Sequence, residues 1–203
     1  MVCSAMPYLK GLPESIQTDI FVMGEQKLPR PTKWTRLLMK TLHLPVVNWS
    51  GIVEKQLARA LAVPETTHFA PGFMSRGSRL HCGSHVSLND TVFFDYAPVF
   101  LDDYVSFSFR NLLLTSTHDT RDFRRVIARS IILERNVWVT ANVVILAGVR
   151  IGENSIIAAG SVVTHDIPAN VLAGGNPCRV LKHIDRDTER PRCTFLTDGL
   201  SLA

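Results

Sequence analysis

The chain lacks most of the features that mark secreted, membrane-spanning or nucleic-acid-binding proteins. Its four cysteines, Cys3, Cys82, Cys178 and Cys193, lie far apart and form no CxxC pair. That spacing excludes the dense disulfide framework of a small secreted domain, and a reducing compartment is the simpler expectation. No apolar run approaches the roughly 18 to 20 residues that cross a bilayer. The N-terminus has no charged segment followed by an apolar one and a cleavage site. A cytoplasmic protein without a transmembrane segment is expected. Charge of one sign is scarce too: a net +4 over 203 residues is a weak signal for nucleic acid, and none is expected as a partner. Apolar residues are plentiful. At 46% of the chain they suffice for a real core, with one domain plus an appendage.

From residue 133 onward aliphatic residues recur every six positions: Leu133, Val139, Ile145, Ile151, Ile157 and Val163. Four residues after each comes another apolar or small one: Val137, Val143, Val149, Ser155, Ser161 and Ile167. A six-residue period fits neither the 3.6 of a helix nor a two-residue alternation, and it is the signature of a parallel β-helix. One aliphatic side chain per hexad points into a narrow prism, three hexads close a coil, and turn-tolerant residues such as Gly152, Glu153 and Asn154 fill the corners. The same phase runs upstream at Cys82, Leu88 and Phe94, then after a one-residue slip at Leu101, Phe107 and Leu113. About four coils result, interrupted once between Leu113 and Leu133. A solenoid can expel a loop from a corner without losing its core, and such loops commonly carry function.

The first 66 residues do not repeat. Pro29, Pro31 and Pro45 punctuate them, and TKWTRLLMKTLHL and SGIVEKQLARALAV read as amphipathic helices, with Trp34, Leu37, Leu38 and Leu42 on one face. Lys33, Arg36 and Lys40 make the rest of that helix basic. Two roles fit it, a cap packed on the solenoid end and a peripheral membrane-surface helix. The expected organisation is a helical and irregular region over residues 1–66, a β-helix over 67–170 with a loop at 119–131, and a segment over 171–203 with a short helix and a tail.

The segment NVWVTANVVILAGVRIGENSIIAAGSVVTHDIPANVLAGGNPCRVLKHI, with HFAPGF and MSRGSRLHCGS upstream, resembles the hexapeptide-repeat acetyltransferases, in particular galactoside and maltose acetyltransferases and polysaccharide-modifying relatives. The resemblance covers about residues 68–187. It implies a left-handed coil, a homotrimer, acetyl-CoA as donor, no metal, and transfer to a hydroxyl of a sugar or glycan at a subunit interface.

The family places its general base at His118, in LLLTSTHD, and the residues agree: the histidine sits at the root of the expelled loop. An imidazole can take the proton of an attacking hydroxyl near neutral pH, so no covalent enzyme intermediate is needed. By the same resemblance the Ala141 backbone N–H donates to the oxyanion. Ala159 and Thr164 line the donor groove, and Arg179 and Lys182 face its phosphates beside His165, where the family often has lysine. Ser75, Asn89 and Asp95 match sugar-contacting positions. Trp138 is a candidate wall of the acyl or acceptor pocket. Arg121, Arg124, Arg125 and Arg129 in the expelled loop suit an acidic acceptor.

Three other readings stay open. One is N-acetylation of an amino sugar. Another is a γ-carbonic-anhydrase-like metalloenzyme using His81, His85 and His118 as zinc ligands. The third is a non-catalytic β-helix scaffold.

Overall fold

The computed structural model describes residues 11–42, 44 and 51–185. Cys3, Pro45, Cys193 and the tail beyond residue 185 lie outside the described residues. Strand β1 (Thr18–Val22) and helices α1 (Lys33–Thr41) and α2 (Ile52–Leu61) come first. Helix α1 begins where the Thr32 hydroxyl accepts the Thr35 N–H at 3.0 Å, which satisfies one of the orphan donors of the first turn. It buries Thr35, Leu38 and Met39, with Leu42 just beyond, the i, i+3, i+4, i+7 spacing of one helical face. Trp34 and Leu37 are 57% and 49% exposed, so the apolar face is rotated away from the one expected through them. Helix α2 buries Val53, Leu57, Ala58 and Leu61 and packs against α1. Both helices share one apolar cluster with the first coils.

Four complete coils of three strands follow. They are β2 (His68–Phe69), β3 (Met74–Ser75) and β4 (Leu80–Cys82); β5 (Ser87–Asn89), β6 (Val92–Phe94) and β7 (Val99–Leu101); β8 (Ser106–Phe107) and β9 (Leu112–Leu114), closed by β12 (Ile131–Leu133) after a hairpin of β10 (Ser116–His118) and β11 (Arg125–Arg129); and β13 (Trp138–Val139), β14 (Val144–Ile145) and β15 (Arg150–Ile151). A fifth level has β16 (Ile156–Ile157) and β17 (Val162–Val163), and a single bridge from Ile151 to Ile167 closes it. Strands β18 (Val171–Gly174) and β19 (Arg179–His183) finish the top as an antiparallel pair. This hairpin, with no helix among the described residues, occupies the segment where a short helix was expected.

Equivalent strands pair in parallel, giving a left-handed β-helix with three faces: β18-β16-β13-β8-β5-β2, β17-β14-β9-β6-β3 and β15-β12-β7-β4. Three edges separate them. The first edge lies between the β13 and β14 faces, the second between the β14 and β15 faces, and the third between the β15 and β16 faces. Inside, Leu133, Val139, Ile145, Ile151, Ile157 and Val163 are all fully buried, as the six-residue period requires. In β6 the inward residue is Phe93 rather than Phe94. Leu101 then lies eight positions after Phe93 instead of six, and the surplus is absorbed at the second edge around the buried Asp95. At the third edge Asn136, Asn154 and Asn170 each adopt φ near +58°, a conformation asparagine tolerates. Their amides stack as a ladder, Asn136 donating to Asn154 and Asn154 to Asn170, each at 3.0 Å.

The expelled segment is largely strand. β10 and β11 pair antiparallel, and β1 pairs with the far side of β11, so that Ile20 faces Ile127. The Gln17 N–H donates to the Ser130 hydroxyl at 2.8 Å, tying the incoming chain to the hairpin base. The region before residue 67 therefore contributes a strand as well as helices. No helix among the described residues is long and apolar enough to cross a membrane.

Full burial of a branched aliphatic side chain contributes about 1.5–3 kcal/mol. Ile145 meets neighbours above and below, so Ile145→Ala is expected to destabilise by about 2–5 kcal/mol in denaturant unfolding.

Candidate functional site

The residues singled out in the sequence fall on two edges of the prism. The second edge carries Ser75 and Asp95 low down, His118 on the hairpin that leaves from its middle, and Thr164 and His165 near the top. The first edge carries Asn89, Ala141 and Ala159, with Arg179 where β19 begins at the same end of its face. Lys182 stands opposite Leu172, toward the middle of that face. Within one chain the His118 hairpin and Ala141 leave from different edges.

His118 is exposed at the end of β10. Its Nδ1 is 2.7 Å from the Phe123 carbonyl, and its ring stacks on the Phe123 ring with centroids 4.0 Å apart and planes 7° from parallel. A carbonyl oxygen only accepts, so Nδ1 carries hydrogen in this contact, and in the neutral ring the lone pair is on Nε2. The hairpin thus presents an oriented imidazole whose Nε2 has no hydrogen-bond partner among the described residues. Phe123, 73% exposed at the hairpin turn, was not singled out in the sequence, because its role depends on the pairing of β10 with β11.

Ala141 lies half-buried at the first edge. Its carbonyl accepts the Gly160 N–H at 3.0 Å, and its own N–H has no acceptor among the described residues. That leaves a backbone donor directed away from the ladder. Ala159, one level higher, is exposed, as a groove-lining small residue must be. Thr164 Oγ1 and His165 Nδ1 are 2.7 Å apart. Arg179 donates one N–H to the Cys178 carbonyl at 2.9 Å and is otherwise exposed. Lys182 is exposed.

The expected sugar contacts are placed differently. Asp95 is fully buried and accepts from the Ser75 hydroxyl (2.7 Å) and from the backbone N–H groups of Arg76 (2.9 Å), Gly77 (2.7 Å) and Arg79 (2.8 Å). Its oxygens are used by the corner it holds, so it is a structural clamp and not an available sugar ligand. The Ser75 hydroxyl, between Asp95 and the Ser78 N–H, is likewise occupied, although Ser75 lines a pocket. Asn89 is buried with φ +47°, and its amide donates to the Phe107 carbonyl. Trp138 donates to the Ser108 hydroxyl at 3.1 Å across adjacent coils.

The hairpin arginines are partly engaged as well. Arg124 is 3.6 Å from Glu25 and Arg125 3.7 Å from Asp119, while the Arg129 side chain lies against Gly148. His81 stacks on Phe100 and His85 on Tyr104, each away from His118. Among the described residues no three metal-ligating side chains converge. Burial pushes the Cys82 thiol up to about 12 and raises Cys178, so neither offers a thiolate nucleophile.

A pocket of about 480 Å³ lies between the chain at residues 28–40 and the lowest coils. Arg30, Arg36, Lys40 and Arg76 line it together with Tyr96. The basic side of α1 is legible in the sequence, but this pocket is not, because its walls come from segments distant in the chain.

Comparison with known proteins places this architecture. Residues 130–165 match the family model for bacterial transferase hexapeptide (six repeats). The galactoside O-acetyltransferase of Lactococcus lactis is 30% identical over 188 residues, covering 89% of this chain and 91% of that protein. A galactoside acetyltransferase solved in complex with coenzyme A superposes with a TM-score of 0.67 at 30% identity, over 82% of this chain and 86% of that one. A hexapeptide-repeat acetyltransferase of Vibrio cholerae, solved with acetyl-coenzyme A, gives 0.60 at 29% identity, over 76% and 89%.

Two outcomes are expected from the side chains. Asp95→Asn turns one acceptor oxygen into an amide that faces N–H donors, at a cost of about 1–3 kcal/mol, read as a lower unfolding midpoint. An unchanged midpoint with a raised acceptor KM would restore the sugar-ligand role. In thiol labelling of the native protein at pH 8, mapped by mass spectrometry, Cys82 and Cys178 stay unmodified until denaturant is added.

Proposed function

Because this chain belongs to the hexapeptide-repeat acetyltransferases, we propose that it transfers acetyl from acetyl-CoA to a hydroxyl of a sugar or glycan, with His118 as general base. The observation that carries the reading is the His118 imidazole, held by the Phe123 carbonyl so that Nε2 is free to take a proton. In this mechanism the acceptor hydroxyl attacks the thioester carbon while Nε2 removes its proton. The Ala141 N–H donates to the oxygen that gains charge, a preorganised donor in the place where charge develops. When the carbon–sulfur bond breaks, the imidazolium returns its proton to the departing thiolate, and His118 is regenerated.

The division of residues between two edges supports a homotrimer in which the first edge of one copy faces the second edge of its neighbour. Such a contact brings Ala141 and Ala159 of one chain toward His118, Thr164 and His165 of the next. Small residues at Ala159 leave room for an extended pantetheine arm. Arg179, Lys182 and His165 at the top suit the phosphates of the donor. The free buried thiols Cys82 and Cys178 fit a reducing, cytoplasmic setting.

The test is a thiol-release assay with acetyl-CoA against neutral sugars, acidic sugars, nucleotide-sugars and amino sugars, run beside His118→Ala. General-base catalysis contributes about 10²–10⁴-fold, so at least a hundredfold loss in kcat is expected. Equal turnover by the two forms removes the mechanism, and exclusive use of amines removes the hydroxyl acceptor.

A further inference from the structure

The pocket beneath the hairpin has an unusual lining. Four cationic side chains, Arg30, Arg36, Lys40 and Arg76, border it, with no carboxylate among its lining residues. None of the four makes an ion pair among the described residues, whereas Arg59, Arg79, Arg124, Arg125, Arg135 and Arg150 all do. The cations come from three places: Arg30 from the chain before α1, Arg36 and Lys40 from one face of α1 at i and i+4, and Arg76 from the second edge just after β3. Beneath them the floor is apolar, with Leu28 and Phe73. Like charges gathered around one concavity repel one another unless an anion enters, and low-dielectric walls concentrate their field.

The position of the pocket fixes which substrate it serves. Along the five-stranded face the order runs β17-β14-β9-β6-β3. The pocket abuts β3 at the bottom, the His118 hairpin leaves from the end of β9 in the middle, and Thr164 follows β17 at the top. Four ladder steps of about 4.8 Å separate β3 from β17, about 19 Å in all. The basic residues expected to meet the donor phosphates lie at the upper end, so the pocket is on the opposite, acceptor side of His118. Its upper wall, Tyr96, sits one rung below Thr115 at the hairpin root, where the Thr115 hydroxyl accepts the Ala97 N–H.

We propose that this pocket binds the phosphate of a phosphorylated carbohydrate acceptor, so that the enzyme selects sugar phosphates over neutral sugars. The proposal rests on the acetyl-transfer reading for the acceptor's identity as a sugar. A phosphate monoester carries nearly two negative charges and three acceptor oxygens near neutral pH. It matches several converging cations better than a single carboxylate does, and arginine forks meet its geometry in pairs of hydrogen bonds. The engaged hairpin arginines are not needed for this selection.

The test compares galactose, galacturonate, galactose 1-phosphate and galactose 6-phosphate as acceptors of the full-length protein, and repeats the series with R36Q/K40Q and with R76Q. Arg36, Lys40 and Arg76 are exposed, so the folded state is retained and far-ultraviolet circular dichroism checks it. At least one phosphate ester is expected to exceed galactose tenfold or more in kcat/KM, with galacturonate between them. The double variant is expected to reduce that preference at least tenfold through the acceptor KM. Equal use of galactose and both esters overturns the proposal. So does a preference that survives both variants, or a variant effect confined to the KM for acetyl-CoA. Titration calorimetry of the same esters and of inorganic phosphate into H118A reads the pocket without turnover. Binding by H118A that R36Q/K40Q/H118A loses supports the pocket even if no sugar is acetylated, in which case only the transfer reading fails.

Discussion

The structure depends on a single constraint: each rung of the ladder must place one apolar side chain inside a prism only three short strands wide. Leu133, Val139, Ile145, Ile151, Ile157 and Val163 meet it without exception, and each is fully buried. Because the strands are two or three residues long, every remaining residue belongs to an edge. The edges are therefore where sequence is free to vary and where chemistry is carried. The asparagine ladder occupies the third edge, the Ala141 N–H the first, and the His118 hairpin the second. A close-packed interior with three separately decorated edges lets a histidine hairpin, an unpaired amide donor and a basic pocket be added without disturbing the core.

How much of this was legible follows from the distance over which each feature is determined. The six-residue period is local and repeated, so the fold and the interruption after Leu113 could be read directly. The phase failed only at Phe94, where the long corner around Asp95 shifts the inward position to Phe93. Helix α1 was found, but its buried face runs through Thr35, Leu38, Met39 and Leu42. The bulk of Trp34 and Leu37 suggested otherwise, and only the packing against α2 and the first coil decides between them. The expelled segment looked like a loop because its partner strand, Thr18–Val22, is about a hundred residues away, and nothing in either segment announces the pairing.

The site divides in the same way. His118, the proposed base, stands out in the sequence by its motif and by its place at the root of an interruption. Its restraint by Phe123 does not, because that contact exists only once the hairpin forms. Asp95 illustrates the opposite error. A carboxylate at a corner near a proposed sugar site resembles a ligand, yet four donors from the corner one rung below surround it, so its charge supports that turn instead. The basic pocket was beyond reach for a third reason. Its walls come from residues 28–40 and from the two lowest coils, which share no motif.

The placement of Ala141 and the His118 hairpin on different edges has a genetic consequence. If three copies close into a ring as proposed, each reaction centre draws one half from each of two neighbours. A lesion on one edge of one copy then silences a single junction and spares the others. Two inactive alleles damaged on opposite edges can co-assemble so that some junctions unite two sound halves, and a cell carrying both regains activity that neither allele supplies alone.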